Sequence, residues 1–307
     1  MSRVPPPETQ VQWRVAKSDP LADADVPKGM SVDLLKDLHL LTRDGQLNAD
    51  ARRKLKQIRH LVGLLRPALD DTLARHPEPR IFDCGAGKSY LGALLYELVL
   101  GPAGRGSLTA IEARPELSKQ ASERATRFGQ HRFRVATGAI GDFIVAPAAA
   151  DATAEAAARP NVVTALHACD TATDDALVLA IASGADHVAV VPCCQAEVAR
   201  QLESSRPEDL ALAALFAHNL HRREFGSHLT NVIRGLVLEA HGYKVTVTEL
   251  VGWEHSAKNE LILARRVQRF DRKARTTLRA LLERFAVEPA VVRDLTARGL
   301  DPRTDAT

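Results

Sequence analysis

The chain has 307 residues, 45% of them hydrophobic, 26% charged and 4% aromatic, which suits one large domain with appendages, or two domains, around a sizeable core. No apolar run approaches the ~18 residues of a membrane span, four cysteines are too few for a disulfide scaffold, and the scarcity of aromatics argues against a base-stacking platform. The net charge of +3 decides nothing globally.

Residues 1–30, with Pro5-Pro6-Pro7 and no apolar centre, read as a disordered arm and not as a secretory signal. Ser31, with Asp33 after it, predicts a capped helix start. Leu55, Ile58, Leu61, Val62, Leu65 and Leu69 recur at helical spacing and predict a helix from Ala51 to Leu73. Short apolar runs then predict strands at Arg80–Asp83, Ser107–Glu112, His131–Thr137, Val162–His167 and His187–Val191. Amphipathic stretches beginning near Ser89, Pro115, Asp142 and Thr173 lie between them. Strand–helix–strand repetition means a parallel sheet with helices on both faces. Tyr243–Val251 and Glu260–Val267 are separated by Gly252–Asn259 alone, so they predict an antiparallel hairpin at one edge.

An Ala-rich stretch covers 146–160, a helix containing Arg234 ends at Gly242, and Arg272–Phe285 and Pro289–Arg298 predict two closing helices. Arg222, Arg223 and Arg234 read as a solvated face, or as phosphate contacts. From Arg265 onward 11 basic residues face 6 acidic ones. That tail suits nucleic-acid phosphates or, more plainly, the solvated surface of helices. The expected organisation is an arm (1–30), a helical cover (31–77), an α/β domain (78–268) and basic C-terminal helices (269–307).

The turn after the first strand reads Asp83-Cys84-Gly85-Ala86-Gly87-Lys88-Ser89. Gly87-Lys88-Ser89 imitates the end of a phosphate loop, but Phe82 stands where that loop needs its first glycine. Tyr90 stands where a dinucleotide fingerprint needs its third. What remains is an acid at the strand end, Gly-x-Gly, and Glu112 closing the second strand. Glu112 can accept hydrogen bonds from both hydroxyls of a ribose, and Asp83 can face a cationic amino acid moiety. After the third strand, Ala139 and Ile140 can pack on a purine, with Asp142 at its amine; core packing and a helix cap explain the same three residues. Ribose, amino acid and adenine together describe S-adenosylmethionine.

On these residues, and on Ala165-Leu166-His167-Ala168-Cys169-Asp170-Thr171-Ala172-Thr173-Asp174, Val191-Pro192-Cys193-Cys194-Gln195 and Glu254-His255-x-x-Lys258-Asn259, the chain resembles class I (Rossmann-like) S-adenosylmethionine-dependent methyltransferases. Within them it resembles the methyltransferase domain 32 family, over about Leu55 to Val267. The resemblance implies a Rossmann-like, seven-stranded, mostly parallel sheet ending in an antiparallel hairpin, with added N- and C-terminal helices. It also implies methyl transfer from S-adenosylmethionine. Similar Leu-His-x-Cys and Cys-Cys-His patterns occur in a eukaryotic tRNA 2′-O-methyltransferase family, although Gln195 stands here in place of the last histidine.

The fourth and fifth strands end at His167-Ala168-Cys169-Asp170 and Pro192-Cys193-Cys194-Gln195, and the hairpin turn carries His255, Lys258 and Asn259. Four readings of this rim stay open. Asp170 or His167 is a proton acceptor, with Gln195 and Asn259 orienting the acceptor molecule. Cys169 or Cys193 is a covalent nucleophile. His167 and the cysteines hold zinc. Or the cysteines are small buried residues under tight turns, the preferred reading for Cys84 and Cys194.

The expected catalytic residues are Asp170, His167, Cys193, Lys258 and Asn259; those for the cofactor are Asp83, Gly85, Gly87, Glu112, Ala139 and Ile140, with no metal. The expected acceptor is RNA, a tRNA or rRNA, with a small molecule or a protein as alternatives; a non-catalytic scaffold of the same fold is the reading from another class. The adjacent Cys193 and Cys194 suggest a reducing, cytoplasmic setting with no membrane partner.

Overall fold

The computed structural model describes residues 29–42, 49–144, 159–166, 168, 170–192, 196–204, 210–250 and 260–304. The chain divides into two units, Met1–Arg59 and His60–Thr307. In the first unit, α1 (Val32–Asp37) begins at Ser31, whose hydroxyl accepts the Leu34 N–H at 3.2 Å. This is the cap that the Ser31/Asp33 pair predicts. The second helix, α2 (Ala49–Arg75), runs from the first unit into the second. It is two residues longer at each end than its apolar spacing indicates.

The second unit is built on seven strands: β1 (Arg80–Cys84), β2 (Ser107–Glu112), β3 (Phe133–Thr137), β4 (Val162–Leu166), β5 (His187–Val191), β6 (Tyr243–Glu249) and β7 (Glu260–Arg266). Their order is β3-β2-β1-β4-β5-β7-β6. The first five are parallel, while β7 is antiparallel to both β5 and β6. The strand order reverses between β1 and β4, which opens a crevice at their carboxyl ends, the usual ligand position in such sheets.

Alternation along the strands divides the core in two. On one face Leu61, Leu65 and Leu69 of α2, with Leu91 and Leu95 of α3 (Tyr90–Leu95), cover Ile81, Leu108, Ala189 and Val191. A π-helical turn, Tyr96–Leu100, and α4 (Gly101–Ala103) extend α3, and α5 (Pro115–Arg127) follows β2. On the other face Val163, Ala165, Val188, Val190 and Ile262 meet α6 (Thr171–Ser183) and α9 (Asn219–Ala240). Each such leucine or valine contributes about 1.5–3 kcal/mol by leaving water. The closing helices α10 (Arg272–Phe285) and α11 (Ala290–Ala297) pack outside α9 and α6. Covered by the sheet and by α11, α6 is buried from Ala176 through Ala182, which is why its sequence shows little amphipathic contrast.

The structure departs from expectation at several points. After β3 there is a 3-10 turn, Ile140–Phe143, and no longer helix from Asp142 among the described residues. Helices α7 (Glu197–Ser204) and α8 (Leu210–Phe216) are additions that the sequence reading lacks. The helix with Arg234, α9, starts at Asn219 and also contains Arg222 and Arg223. Among the described residues no helix is long and apolar enough to cross a membrane.

Candidate cofactor and acceptor site

The loop after β1 turns on two left-handed glycines, Gly85 (φ 64°) and Gly87 (φ 58°). A Cβ at Gly85 would stand 3.2 Å from the Ala168 Cβ, so the end of β4 lies directly against this turn. At Gly87 a Cβ would approach nothing nearer than Arg114 Nη2 at 3.8 Å. Ala86 N–H donates to the Ile111 carbonyl at 3.0 Å, tying the loop to β2. Ser89, at φ 53°, opens α3, and among the described residues its buried hydroxyl has no hydrogen-bond partner. A buried hydroxyl of that kind is costly unless something else meets it.

Glu112, at the end of β2, is 5% exposed. Its Oε2 accepts the Gly87 N–H at 2.6 Å, and its Oε1 accepts the Arg114 backbone N–H at 3.0 Å and Arg114 Nε at 2.7 Å. Burial by itself would raise its pKa, but the Arg114 bonds and the Gly87 N–H outweigh it and hold the carboxyl below its usual range. Arg114 Nη2 also lies 3.4 Å from Oε2, so Glu112 is an ionised acceptor with two bonds on each oxygen. The side-chain bonds come from the exposed guanidinium of Arg114, which a ribose hydroxyl can displace.

Asp83 is enclosed, accepting the Thr164 hydroxyl at 2.9 Å and the Gly92 N–H; burial pushes it up to about 6 against both bonds. Cys84 beside it is buried, and desolvation pushes its thiol up, the state of an inert core cysteine. Ala139 is exposed and Ile140 is buried in the core. Asp142 Oδ2 accepts the Ala139 N–H at 3.0 Å, so its carboxylate serves the cap.

Across the crevice, Asp170 precedes α6 with its side chain 37% exposed. Its Oδ1 accepts the Ala196 N–H at 3.2 Å, and its Oδ2 stands 3.5 Å from Arg200 of α7. The other rim candidates, His167, Cys169, Cys193, Cys194, Gln195, His255, Lys258 and Asn259, lie outside the described residues, as do all the zinc and covalent candidates. The sheet order does set the ends of β4 and β5 side by side next to the glycine loop. Among the described residues no group of three or more His, Cys, Asp or Glu side chains could hold a metal ion.

Two basic features need correction. Arg234, expected at the solvated face, is 1% exposed and forms a two-pronged ion pair with Asp174 at 2.7 and 3.0 Å. It can be buried because the carboxylate is buried with it. In the tail, Arg275 donates to the carbonyls of Ala240 and Thr304, Arg279 to that of Arg303, Arg293 pairs with Glu197, and Arg303 grips Asp301. Much of the tail's charge therefore fixes the closing helices in place.

Residues 53–201 match the model of a family described as a methyltransferase domain. The chain carries an S-adenosylmethionine-dependent methyltransferase domain. Among solved structures the methyltransferase is similar to an rRNA methylase from Streptococcus thermophilus, at 12% identity over 67% of this chain and 96% of that one, TM-score 0.42. It is also similar to a methyltransferase from Podospora anserina with S-adenosylhomocysteine bound, at 12% identity over 78% and 90%, TM-score 0.42. A precorrin-6y C5,15-methyltransferase from Geobacter metallireducens is similar at 13% identity over 66% and 88%, TM-score 0.35. No curated protein matches the sequence.

The residues present fit the methyl donor. An ionised carboxylate lies at the end of β2, the facing loop is kept free of side-chain bulk by two left-handed glycines, and the Ser89 hydroxyl that follows it is buried with no partner among the described residues. Sequence reasoning missed the pairing of Arg234 with Asp174. The available signal was an arginine set among Ile233, Leu236, Val237 and Leu238, where a lone charge needs a buried partner.

Proposed function

We propose that the chain methylates RNA, a tRNA or rRNA, in the cytoplasm, through the α/β domain at 78–268 flanked by the helical cover at 31–77 and the basic helices at 269–307. The observation that carries the cofactor half is the 2.6 Å bond from Gly87 N–H to Glu112, which holds the carboxylate over the glycine loop. Glu112 then takes the ribose hydroxyls, Gly85 and Gly87 let the backbone approach, Asp83 faces the cationic amino acid moiety, and Ala139 and Ile140 flank the purine. When bound, S-adenosylmethionine supplies an electrophilic methyl group on a sulfonium, and such a transfer needs alignment and removal of a proton from the nucleophile. Asp170 or His167 takes that proton, while Cys193, Lys258 and Asn259 line the acceptor side.

The choice of RNA rests on exposed cations that the tail does not use internally. Lys244 and Arg265 stand directly opposite each other in the β6–β7 ladder. Both are exposed, and among the described residues neither has an anionic partner. Like charges directly opposite each other are destabilising, and a backbone phosphate relieves that repulsion. The test is transfer of labelled methyl from S-adenosylmethionine to fractionated cellular RNA, protein and metabolites. Label in RNA, with binding that weakens steeply with salt, supports the reading. Label confined to a metabolite or protein fraction overturns the RNA acceptor and leaves the methyltransferase.

A further inference from the structure

We propose that Asp170 is a positioning residue, a clamp between the loop after β4 and the helix after β5, and that Arg234 holds it in that pose. The inference rests on reading this rim as the acceptor side.

Asp170 has φ 49° and ψ −119°, a backbone conformation in which an L side chain is strained. As the residue before α6 it would ordinarily turn its carboxylate onto that helix's own first N–H groups. It makes no such bond. The carboxylate reaches instead to Ala196 N–H at 3.2 Å and towards Arg200 at 3.5 Å. Ala196 leads into α7 four residues beyond Pro192, just past the end of β5. One side chain thus joins the two strand ends that carry most of the rim candidates.

The strain is held from below. Arg234 Nη2 donates to the Asp170 carbonyl at 3.0 Å, while Nε and Nη2 together fork onto Asp174 four residues on. Nη1 donates to Asn231 Oδ1 at 3.3 Å, and Asn231 Nδ2 donates to Glu260 Oε2 at 2.8 Å. The chain of bonds therefore runs from Asp170 through α9 to the first residue of β7. Thr173 adds a 2.6 Å bond to the Ala168 carbonyl. Both oxygens of this carboxylate are turned towards the β5 side, Oδ1 onto the Ala196 N–H and Oδ2 towards Arg200, which fixes its orientation there. Of the two candidates at the end of β4, the geometry gives Asp170 the spacing role and leaves the proton to another group.

Three variants of the full chain separate the roles: Asp170→Asn, Asp170→Ala and Arg234→Lys. Asparagine keeps an oxygen for the Ala196 N–H but is no base, and lysine keeps the charge but cannot fork. Hydrogen exchange at Ala196 and the first turn of α7 should quicken about tenfold or more in Asp170→Ala and Arg234→Lys and stay near the wild-type rate in Asp170→Asn. On the fraction that the wild type labels, kcat should fall by about 100-fold or more in Asp170→Ala and by no more than about tenfold in Asp170→Asn, with S-adenosylmethionine affinity held throughout.

Asparagine as inactive as alanine, with slow exchange at Ala196, would make Asp170 the base and overturn the clamp. Unchanged exchange in Asp170→Ala would overturn it as well. A wild type that labels no fraction would defeat the function proposed above, while the exchange comparison would still decide the clamp.

Discussion

The two halves of the crevice solve the same geometric problem by different means. At the β1–β2 end the chain turns sharply on glycines, and the buried carboxylate beside the turn, Glu112, is satisfied by an N–H 25 residues away and by Arg114 two residues away. At the β4–β5 end the sharp turn falls on Asp170, a residue with a side chain, and it is held by a guanidinium 64 residues away whose counter-charge, Asp174, is also buried. The proposed cofactor half is specified by local sequence, in which glycine removes the strain. The proposed acceptor half is specified by packing, in which a buried charge network withstands it. The second half is accordingly the one where single substitutions should cost most.

The largest effect belongs to that network. Arg234→Met leaves Asp174 buried without its cation, and loss of one partner of a buried pair costs about 3–5 kcal/mol. Urea unfolding should register that loss, and an effect below about 1 kcal/mol would mean the pair is not sealed from water. Adding Asp174→Leu to Arg234→Met should recover part of the loss, because no unpaired charge then remains.

The cofactor half has its own buried acid. Asp83 is pushed up to about 6 from 3.8, so the folded state binds its proton more tightly than the unfolded chain. Stability from this group is fully present below pH ~4 and is lost as pH rises through about 6, by on the order of 3 kcal/mol. Asp175, pushed up to about 6 by burial and by Asp294, contributes with the same sign. Asp83→Asn should flatten the stability profile between pH 4 and 6 by its own share, and an unaltered profile would show that Asp83 is hydrated. A smaller effect is expected at Gly85→Ala, where the left-handed φ and the 3.2 Å approach to Ala168 should cost about 1–3 kcal/mol and weaken cofactor binding. Gly87→Ala meets the same φ with free space around it and should cost less.

The same contrast decides what the sequence discloses. Ser107–Glu112 and His187–Val191 are strands over the spans their apolar runs predict; His187–Val191 is buried at every position and is apolar from Val188 on, as a strand covered on both faces must be. The hairpin follows from the short connection between two such runs, although β6 ends at Glu249 and β3 begins at Phe133. The glycine loop and Glu112 are legible because their chemistry lies within one strand–turn–strand stretch. The pairing of Arg234 with Asp174 spans 60 residues: the apolar neighbours of Arg234 announce that it needs a buried partner, but no local pattern says which. Helices α7 and α8 are short, and their hold comes from packing on α9, which propensity does not reveal. The basic tail looks like a phosphate-binding surface in composition, yet Arg275 and Arg303 are fixed to neighbouring carbonyls and to Asp301, and a charge count cannot distinguish the two uses.

The central claim is that Glu112 over the Gly85–Gly87 turn holds the ribose of S-adenosylmethionine. Calorimetric titration of the wild type and of Glu112→Gln with S-adenosylmethionine and with S-adenosylhomocysteine tests it most directly. The account predicts micromolar binding of both ligands to the wild type and a loss of about tenfold or more in the variant, since one charge-assisted hydrogen bond contributes about 1.5–3 kcal/mol. A folded wild type that binds neither ligand, or a variant that binds as tightly as the wild type, would contradict it.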